Sequence, residues 1–142
     1  LNAVDYLMAN SPVFRAMYNT LDRSSNWYTI GGWDENSGNS NAYAPGQKRV
    51  YWNPEAQLNL CGMSHSPALG LAHELIHGLR QEMNGGLNLN NFGDPLLNFF
   101  WTNPEELAAL IMEGIIAHDI GEPVRPVHWG GYSPVPYPVP KH

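Results

Sequence analysis

The sequence predicts a single α+β domain in which a small sheet packs on one central amphipathic helix. Two observations lead to this fold class: apolar residues recur at helical spacing over 67–83 and 104–119, and short β-branched or aromatic runs occur at 26–30 and 48–53. The chain has 142 residues, enough for one domain with a hydrophobic core. Because no repeat or linker divides it, we expect one domain over residues 1–142.

Two further helices are predicted near the N-terminus, at 3–9 and 12–21. A Ser-Pro pair between them supplies a helix cap and a first-turn proline. Stretches rich in Gly, Asn and Ser at 31–46 and 85–99 are predicted to be loops. Residues 122–142 contain many prolines, so we expect an extended tail.

The central helix has well-defined predicted ends. Ser66 and Pro67 supply the N-cap and the first-turn proline, and the Asn-Gly-Gly sequence at 84–86 supplies the stop. A core stripe follows helical spacing and consists of Ala72, Leu75, Ile76, Leu79 and Met83. His73 and His77 lie on a different face, so the helix has one side for the core and a second, histidine-bearing side.

Composition excludes several classes of function. The net charge of -6 argues against binding to nucleic acid or to an anionic membrane, because both need a basic patch. Cys61 is the only cysteine, so an intrachain disulfide is impossible. We interpret Cys61 as a small, partly buried side chain rather than as a catalytic nucleophile.

The strongest functional signal is the segment 73–77, His-Glu-Leu-Ile-His, inside the predicted central helix. Residues four apart share a helix face, so His73 and His77 can converge on one metal ion. Zinc bound in this way lowers the pKa of a coordinated water to about 7, and Glu74 is placed to accept its proton. The alternative is an ordinary amphipathic helix in which two histidines fall four apart by chance.

A catalytic zinc needs a third protein ligand, and the helix at 104–119 offers Glu105 and Glu106. Glu106 and Glu113 lie seven apart on one face of an otherwise apolar helix, so they require a compensating cation or donor. We expect Glu106 to bind zinc and Glu113 or Glu105 to hold the distal N–H of a histidine. In the alternative, Glu106 belongs to a capping box that begins at Asn103.

Hydrolysis of an amide also needs a donor for the oxyanion that develops opposite the zinc. Three residues in the tail could supply it: Arg125, His128 and Tyr132. In the alternative, the arginine is solvated and the aromatic rings pack against the proline-rich segment. We expect at least one of the three to serve the site.

Taken in order, these segments resemble the HopH/NleD-type effector metallopeptidases, small zincins that bacteria inject into other cells. The resemblance covers about residues 48–128 and is carried by "VYWNP", "SHSPALGLAHELIHGL" and "NPEELAALIMEGIIAHDIGEPVRP". The combination of "HELIH" with a following "EEL" is also similar to the light chains of clostridial neurotoxins. The resemblance implies a minimal zincin-like fold, with the small sheet packed on the helix that carries the motif.

The resemblance also implies a role for each matched residue. Zinc would be bound by His73, His77 and Glu106, with Glu74 as the general base and Arg125 near the substrate. Two positions depart from the family pattern: Glu113 is followed by glycine where the family has asparagine, and His128 stands where the family has tyrosine. The oxyanion donor is therefore either His128 or Tyr132.

We expect a zinc-dependent endopeptidase that cleaves a protein in a target cell. The start without methionine, the lack of a signal peptide and the resemblance together predict a monomeric toxin or effector domain. It would be a fragment of a longer protein, delivered by a bacterial secretion system, with an immunity protein as a further partner. An exposed strand edge at 48–53 would favour a protein substrate, since such an edge can pair an extended peptide, whereas the default interpretation of 48–53 is an ordinary structural strand.

Two alternatives keep the zinc and change the function. In the first, the enzyme is an amidase that acts on a cell-wall peptide or another amide in a closed polar pocket. In the second, the domain is a binding module with a structural zinc, and a fourth ligand such as His128 closes the coordination shell. Glu74 has no purpose in a purely structural site, and for this reason we prefer the enzyme.

Overall fold

The computed structural model describes residues 2–31 and 41–140, and within them it contains five helices and two three-stranded sheets. The helices are α1 (Asn2–Asn10), α2 (Pro12–Asp22), α3 (Pro67–Asn84), α4 (Pro95–Trp101) and α5 (Pro104–Asp119). The strands are β1 (Thr29–Ile30), β2 (Ala42–Ala44), β3 (Arg49–Tyr51), β4 (Ala56–Leu60), β5 (Met63–His65) and β6 (Gly131–Pro134). The predicted α+β class is confirmed, with two small sheets in place of one.

The long helix α3 forms the centre of the core and has the ends that its sequence predicts. Oγ of Ser66 accepts a hydrogen bond from a first-turn amide at 3.3 Å, and Gly85 ends the helix in the left-handed conformation with φ 71°. Nearly all of residues 67–79 are buried. The predicted core stripe is wrong at Met83, which is 71% exposed because it lies in the last turn, where its neighbours also face solvent.

Helices α1, α2 and α5 all pack against α3 and complete the main core. Leu7 and Phe14 are fully buried there, and burial of a side chain of this size contributes about 1.5–3 kcal/mol. Ser11 joins two of these helices to each other. Its hydroxyl oxygen accepts from the Phe14 amide at 3.1 Å and donates to Asp119 at the end of α5 at 2.7 Å.

Strand β3 is the middle of the first sheet, with β1 parallel on one side and β2 antiparallel on the other. Because both edges of β3 are paired, 48–53 contains an ordinary structural strand, and its alternative use as an exposed edge is excluded. Strand β2 falls inside the predicted loop 31–46, and residues 32–40 of that loop lie outside the described residues. With three residues, β2 is too short for an alternating pattern to reveal it.

The second sheet has the order β5-β4-β6 and joins the tail to the middle of the chain. The β4–β5 hairpin turns at Cys61 and Gly62, which both have positive φ. Cys61 is exposed at this turn, so the prediction that it is partly buried is wrong. Strand β6 pairs antiparallel with β4, with Tyr132 opposite Leu58. This pairing gives the proline-rich tail one regular strand.

Helix α4 begins inside the predicted loop 85–99, extends two residues beyond it and has Asp94 as its N-cap. Thr102 separates α4 from α5, and Asn103 caps α5 as predicted. Within the described ranges, no helix is long and apolar enough to cross a lipid bilayer. The junction between α4 and α5 lies against the segment that precedes β6, because the His128 amide donates to a carbonyl of α4.

Candidate metal centre

Helices α3 and α5 pack against each other and bring the motif histidines to one carboxylate. Nε2 of His73 lies 3.0 Å from Oε2 of Glu106, and Nε2 of His77 lies 3.2 Å from the same oxygen. The two imidazole rings stand edge to face with centroids 4.9 Å apart, in keeping with their spacing of one helical turn. The three predicted ligand residues are therefore together in the structure.

A third imidazole, from the tail, reaches the same oxygen. Nε2 of His128 lies 3.1 Å from Oε2 of Glu106. The ligand atoms of His73, Glu106 and His128 all lie within 4.8 Å of one another. In a tetrahedral zinc site with bonds of about 2.0–2.2 Å, neighbouring ligand atoms are roughly 3.3–3.6 Å apart. The three nitrogen-to-oxygen distances are therefore within about half an ångström of those in a zinc site, whereas the group whose ligand atoms all lie within 4.8 Å of one another does not include His77.

Each motif histidine has a carboxylate at its other ring nitrogen. Oε1 of Glu113 lies 3.2 Å from Nδ1 of His73, and Oε1 of Glu105 lies 3.0 Å from Nδ1 of His77. At His77 the carboxylate holds the tautomer whose Nε2 can bind a metal. At His73 the carboxylate shares Nδ1 with Arg125, whose Nη2 lies 3.1 Å from the same nitrogen. The sequence leaves Glu113 and Glu105 as alternatives for this role. In the structure each histidine has one of them.

The contacts of Glu106 distinguish the ligand interpretation from the capping box. Oδ1 of Asn103 accepts a hydrogen bond from the Glu106 amide at 2.9 Å, so the helix cap is present. The Asn103 amide donates to the Trp101 carbonyl at 2.7 Å and not to the Glu106 side chain. The carboxylate of Glu106 instead contacts the three imidazoles, so the reciprocal capping box does not form.

Two arginines pair with Glu113 and Glu105, the carboxylates that lie at Nδ1 of the motif histidines. Nε of Arg125 donates to the two oxygens of Glu113 at 3.1 and 3.0 Å, and its Nη1 donates to the His128 carbonyl at 3.0 Å. Nε of Arg80 donates to Glu105 at 2.9 Å. Because Arg125 is only 7% exposed, its position fits the orientation of Glu113 and of the His128 backbone better than contact with a substrate.

The charges of this cluster match those that a divalent cation would neutralise. The cluster contains four carboxylates, from Glu74, Glu105, Glu106 and Glu113, and arginines pair with Glu105 and Glu113 only. With neutral imidazoles and ionised carboxylates, two negative charges remain. Carboxylates removed from water need a counter-charge, and buried charges in proteins are paired or bind metals. A divalent ion supplies the two positive charges.

In the chain without a cation, protons on the histidines supply the counter-charge. Burial favours the neutral ring of His77, but the carboxylates at its two nitrogens outweigh burial and raise its pKa to about 10. Burial alone would raise the pKa of Glu106 and of Glu113. Contacts with three imidazoles outweigh burial at Glu106 and lower its pKa. At Glu113, His73 and Arg125 outweigh burial and lower the pKa to about 2. A metal would replace these protons, because imidazole is a ligand only in its neutral form.

Glu74 differs from the other carboxylates, because within residues 2–31 and 41–140 no group donates a hydrogen bond to it. It is 9% exposed, and burial raises its pKa. A cavity of about 20 Å³ lies beside it and is lined by His73, Glu74 and Tyr132, among others. That volume is enough for one water molecule. A buried carboxylate with a raised pKa beside a water-sized cavity has the surroundings of a general base.

Asn41 and Gly70 complete the wall of this cavity, and the sequence gives little indication of either. A Cβ on Gly70 would lie 2.6 Å from Nδ2 of Asn41, so a larger residue one turn before His73 requires the Asn41 side chain to move. Oδ1 of Asn41 accepts from the Asn53 amide at 2.9 Å, which fixes its side chain against α3. The only available signal is a glycine inside a predicted helix, where close packing is one of several explanations.

Comparisons with protein-family models, with curated proteins and with solved structures found no match to this chain. The support for the candidate site therefore comes from the identity of its residues and from their geometry. His73, His77 and His128 each have a nitrogen within 3.2 Å of Oε2 of Glu106. Glu74 and Tyr132 line a cavity that His73 borders and that Glu106, His77 and His128 do not, and Arg125 lies beside the same cavity. This arrangement can bind a divalent cation and can hold a water molecule next to a carboxylate.

Proposed function

We propose that this chain is a zinc-dependent peptidase of the zincin type. The observation that supports the proposal most is the convergence of three imidazole nitrogens on one oxygen of Glu106 at 3.0, 3.2 and 3.1 Å. The proposed ligands are His73, His77 and Glu106, which fit a His-Glu-x-x-His motif with a distant third ligand. A metal-free network of ion pairs would give no role to Glu74, which is buried beside a water-sized cavity.

Each neighbouring side chain has a defined part in the proposed mechanism. Bound zinc would polarise the substrate carbonyl and lower the pKa of water at the site. Glu74 accepts the proton of the attacking water and passes it to the leaving nitrogen. The Tyr132 hydroxyl donates a hydrogen bond to the developing oxyanion, and it stays protonated because burial and the charge of Glu74 raise its pKa. Glu113 and Glu105 hold the two imidazole rings in place.

A protein substrate is the class that the surroundings of the site favour. Within the described part of the chain, β2 is an edge strand whose second edge has no partner. Tyr43 of β2 stacks on His77 with ring centroids 6.4 Å apart, so this edge lies next to the proposed ligands. An extended peptide could pair with β2, and the backbone hydrogen bonds of that pairing would order the peptide beside the proposed metal ligands. The edge that would receive a peptide is therefore Ala42–Ala44 rather than 48–53.

The resemblance to HopH/NleD-type peptidases extends this proposal to the setting in which the enzyme acts. We infer an effector or toxin domain that a bacterial secretion system delivers to a target cell, where it cleaves a protein. A cell that makes such an enzyme needs protection from it if the target is a related bacterium, so an immunity protein is included in the proposal. The evidence for this setting is the ordered set of motifs over residues 48–128.

The position of His128 favours a second candidate, a non-catalytic module with a structural zinc. Its Nε2 lies 3.1 Å from Oε2 of Glu106, where a fourth protein ligand would close the coordination shell. Glu74 discriminates between the two candidates, because a structural site has no use for a general base.

The experiment that tests the proposed function measures zinc content and cleavage of an unfolded protein, such as casein, for three proteins. These are the wild type, Glu74→Gln and the control Glu55→Gln, which changes an exposed glutamate outside the site. We expect one zinc per chain in all three, and a loss of cleavage of at least about a hundredfold in Glu74→Gln alone. Zinc in all three without any cleavage would favour the structural module. Equal cleavage by Glu74→Gln would exclude Glu74 as the base.

A further inference from the structure

His128 has different surroundings from the two motif histidines. Its side chain is 30% exposed, against 4% for His73 and 5% for His77. It comes from the irregular segment between α5 and β6, and its Nδ1 lies 2.8 Å from Oγ1 of Thr102. The imidazole is therefore oriented by a neutral hydroxyl, whereas charged groups orient the other two rings: Glu105 at His77, and Glu113 with Arg125 at His73.

Thr102 holds this position at an energetic cost. It has φ 65° and ψ -60°, and across it the Asn103 amide donates to the Trp101 carbonyl at 2.7 Å. This is a γ-turn with positive φ, which is rare and costs about 1–3 kcal/mol for a residue other than glycine. Strain of this kind persists only where the surrounding structure imposes it, and it is concentrated at functional sites. Here its result is a hydroxyl directed at His128.

The backbone around His128 is fixed to the same corner of the molecule. The His128 amide donates to the Phe100 carbonyl at 2.9 Å, and the Trp101 indole donates to the Pro126 carbonyl at 2.9 Å. Nη1 of Arg125 donates to the His128 carbonyl at 3.0 Å. With the backbone fixed and the ring partly open to solvent, the imidazole can leave the cluster by rotation of its side chain alone.

We propose that His128 is a fourth, detachable metal ligand and that Thr102 is the positioning residue that orients it. This inference rests on the proposed function, because it assumes a metal on His73, His77 and Glu106. If all four residues held a zinc ion, the protein would supply four ligands and would leave no position for a substrate. With the ring of His128 turned to solvent, one position opens.

The order in which the ligands would leave follows from their partners. A carboxylate at Nδ1 raises the basicity of a coordinating imidazole, and His77 has one at 3.0 Å. His73 has a carboxylate at 3.2 Å, beside Nη2 of Arg125 at 3.1 Å, and its ring is almost fully buried. His128 has the Thr102 hydroxyl instead and is the most exposed of the three. It is therefore the weakest ligand and the one that a substrate carbonyl displaces. The resting chain would be latent until a substrate competes for the metal.

Zinc affinity tests whether His128 is a ligand. Competition with a chromophoric chelator would be measured for the wild type, His128→Ala, Thr102→Val and the control His118→Ala, which changes an exposed histidine on α5. We expect His128→Ala to weaken zinc binding at least about tenfold, Thr102→Val to weaken it by a smaller factor, and the control to match the wild type. Equal affinities for the wild type and His128→Ala would overturn ligation by His128. Circular dichroism verifies that each variant is folded.

Cobalt substituted for zinc tests the detachment, because its visible absorption reports coordination. We expect the cobalt-loaded wild type to show four-coordinate absorption and His128→Ala to respond to azide at concentrations at least about tenfold lower than the wild type. The same azide response in both proteins would overturn the detachable ligand, and an unchanged cobalt spectrum in Thr102→Val would overturn the positioning role. A wild type that binds neither zinc nor cobalt would refute the proposed function itself, so the two failures can be told apart.

Discussion

Glutamine in place of Glu113 should destabilise the metal-free chain more than glutamine in place of Glu105, although both carboxylates hold a motif histidine. Glu113 is 1% exposed, and its partner Arg125 is 7% exposed. A neutral side chain at this position leaves a buried guanidinium without a counter-charge, which costs about 3 kcal/mol. The side chain of Arg80, the partner of Glu105, is 29% exposed and can turn to water, so the loss there should be about 1 kcal/mol.

Thermal denaturation in the presence of a chelator at neutral pH measures this difference. For a domain of 142 residues, 1 kcal/mol shifts the Tm by about 3 °C, so we expect losses of about 10 °C for Glu113→Gln and about 3 °C for Glu105→Gln. Both variants should also bind zinc about 10–100-fold more weakly, because each leaves one imidazole without its orienting carboxylate. Equal Tm values for the two variants, with zinc affinity unchanged in both, would refute this reasoning.

Three further predictions concern the cavity, the oxyanion donor and acid stability. Gly70→Ala should destabilise the chain, because its Cβ would lie 2.6 Å from Asn41, whereas Gly78→Ala, with nearest contacts at 3.4 Å, should be neutral or stabilising by up to about 1 kcal/mol in urea denaturation. Tyr132→Phe should retain zinc and lose about a hundredfold in cleavage rate, and a loss of zinc content instead would contradict its role as a donor. The depressed pKa of Glu113, about 2 against an ordinary 4.5, stabilises the metal-free chain above pH 4.5, and this stabilisation is lost as the pH falls toward 2. An acid titration followed by circular dichroism should therefore show a smaller loss of stability in Glu113→Gln.

The helices and the central motif could be predicted because local signals determine them. Ser66 and Gly85 end α3 through contacts within a few residues, and Asn103 begins α5 in the same way. Strands β2, β4 and β5 have three to five residues each, and their partners are set by the return of distant segments. Short strands of this kind leave too few residues for a period-2 pattern to stand out. The alternative of an exposed edge at 48–53 fails for this reason, since β1 and β2 pair with the two edges of β3.

In the candidate site, too, local features could be predicted from the sequence, whereas features set by the packing of distant segments could not. The one-turn spacing of His73 and His77 is a property of any helix, so their convergence could be predicted. The assignment of Glu113 to one ring and Glu105 to the other depends on how α5 is rotated against α3, which the sequence does not determine. Thr102 has no motif at all, because its role arises from a strained turn between two helices.

Crystals of the zinc-loaded protein, measured on both sides of the zinc absorption edge, would test the proposed metal centre most directly. Anomalous difference density locates the ion and identifies it as zinc. We predict one ion at about 2.0–2.2 Å from Nε2 of His73, Nε2 of His77 and an oxygen of Glu106, with Nε2 of His128 at a similar distance in the resting chain. Density at another place, or an ion that neither motif histidine contacts, would contradict the proposal that this helix carries the active site of a zinc peptidase.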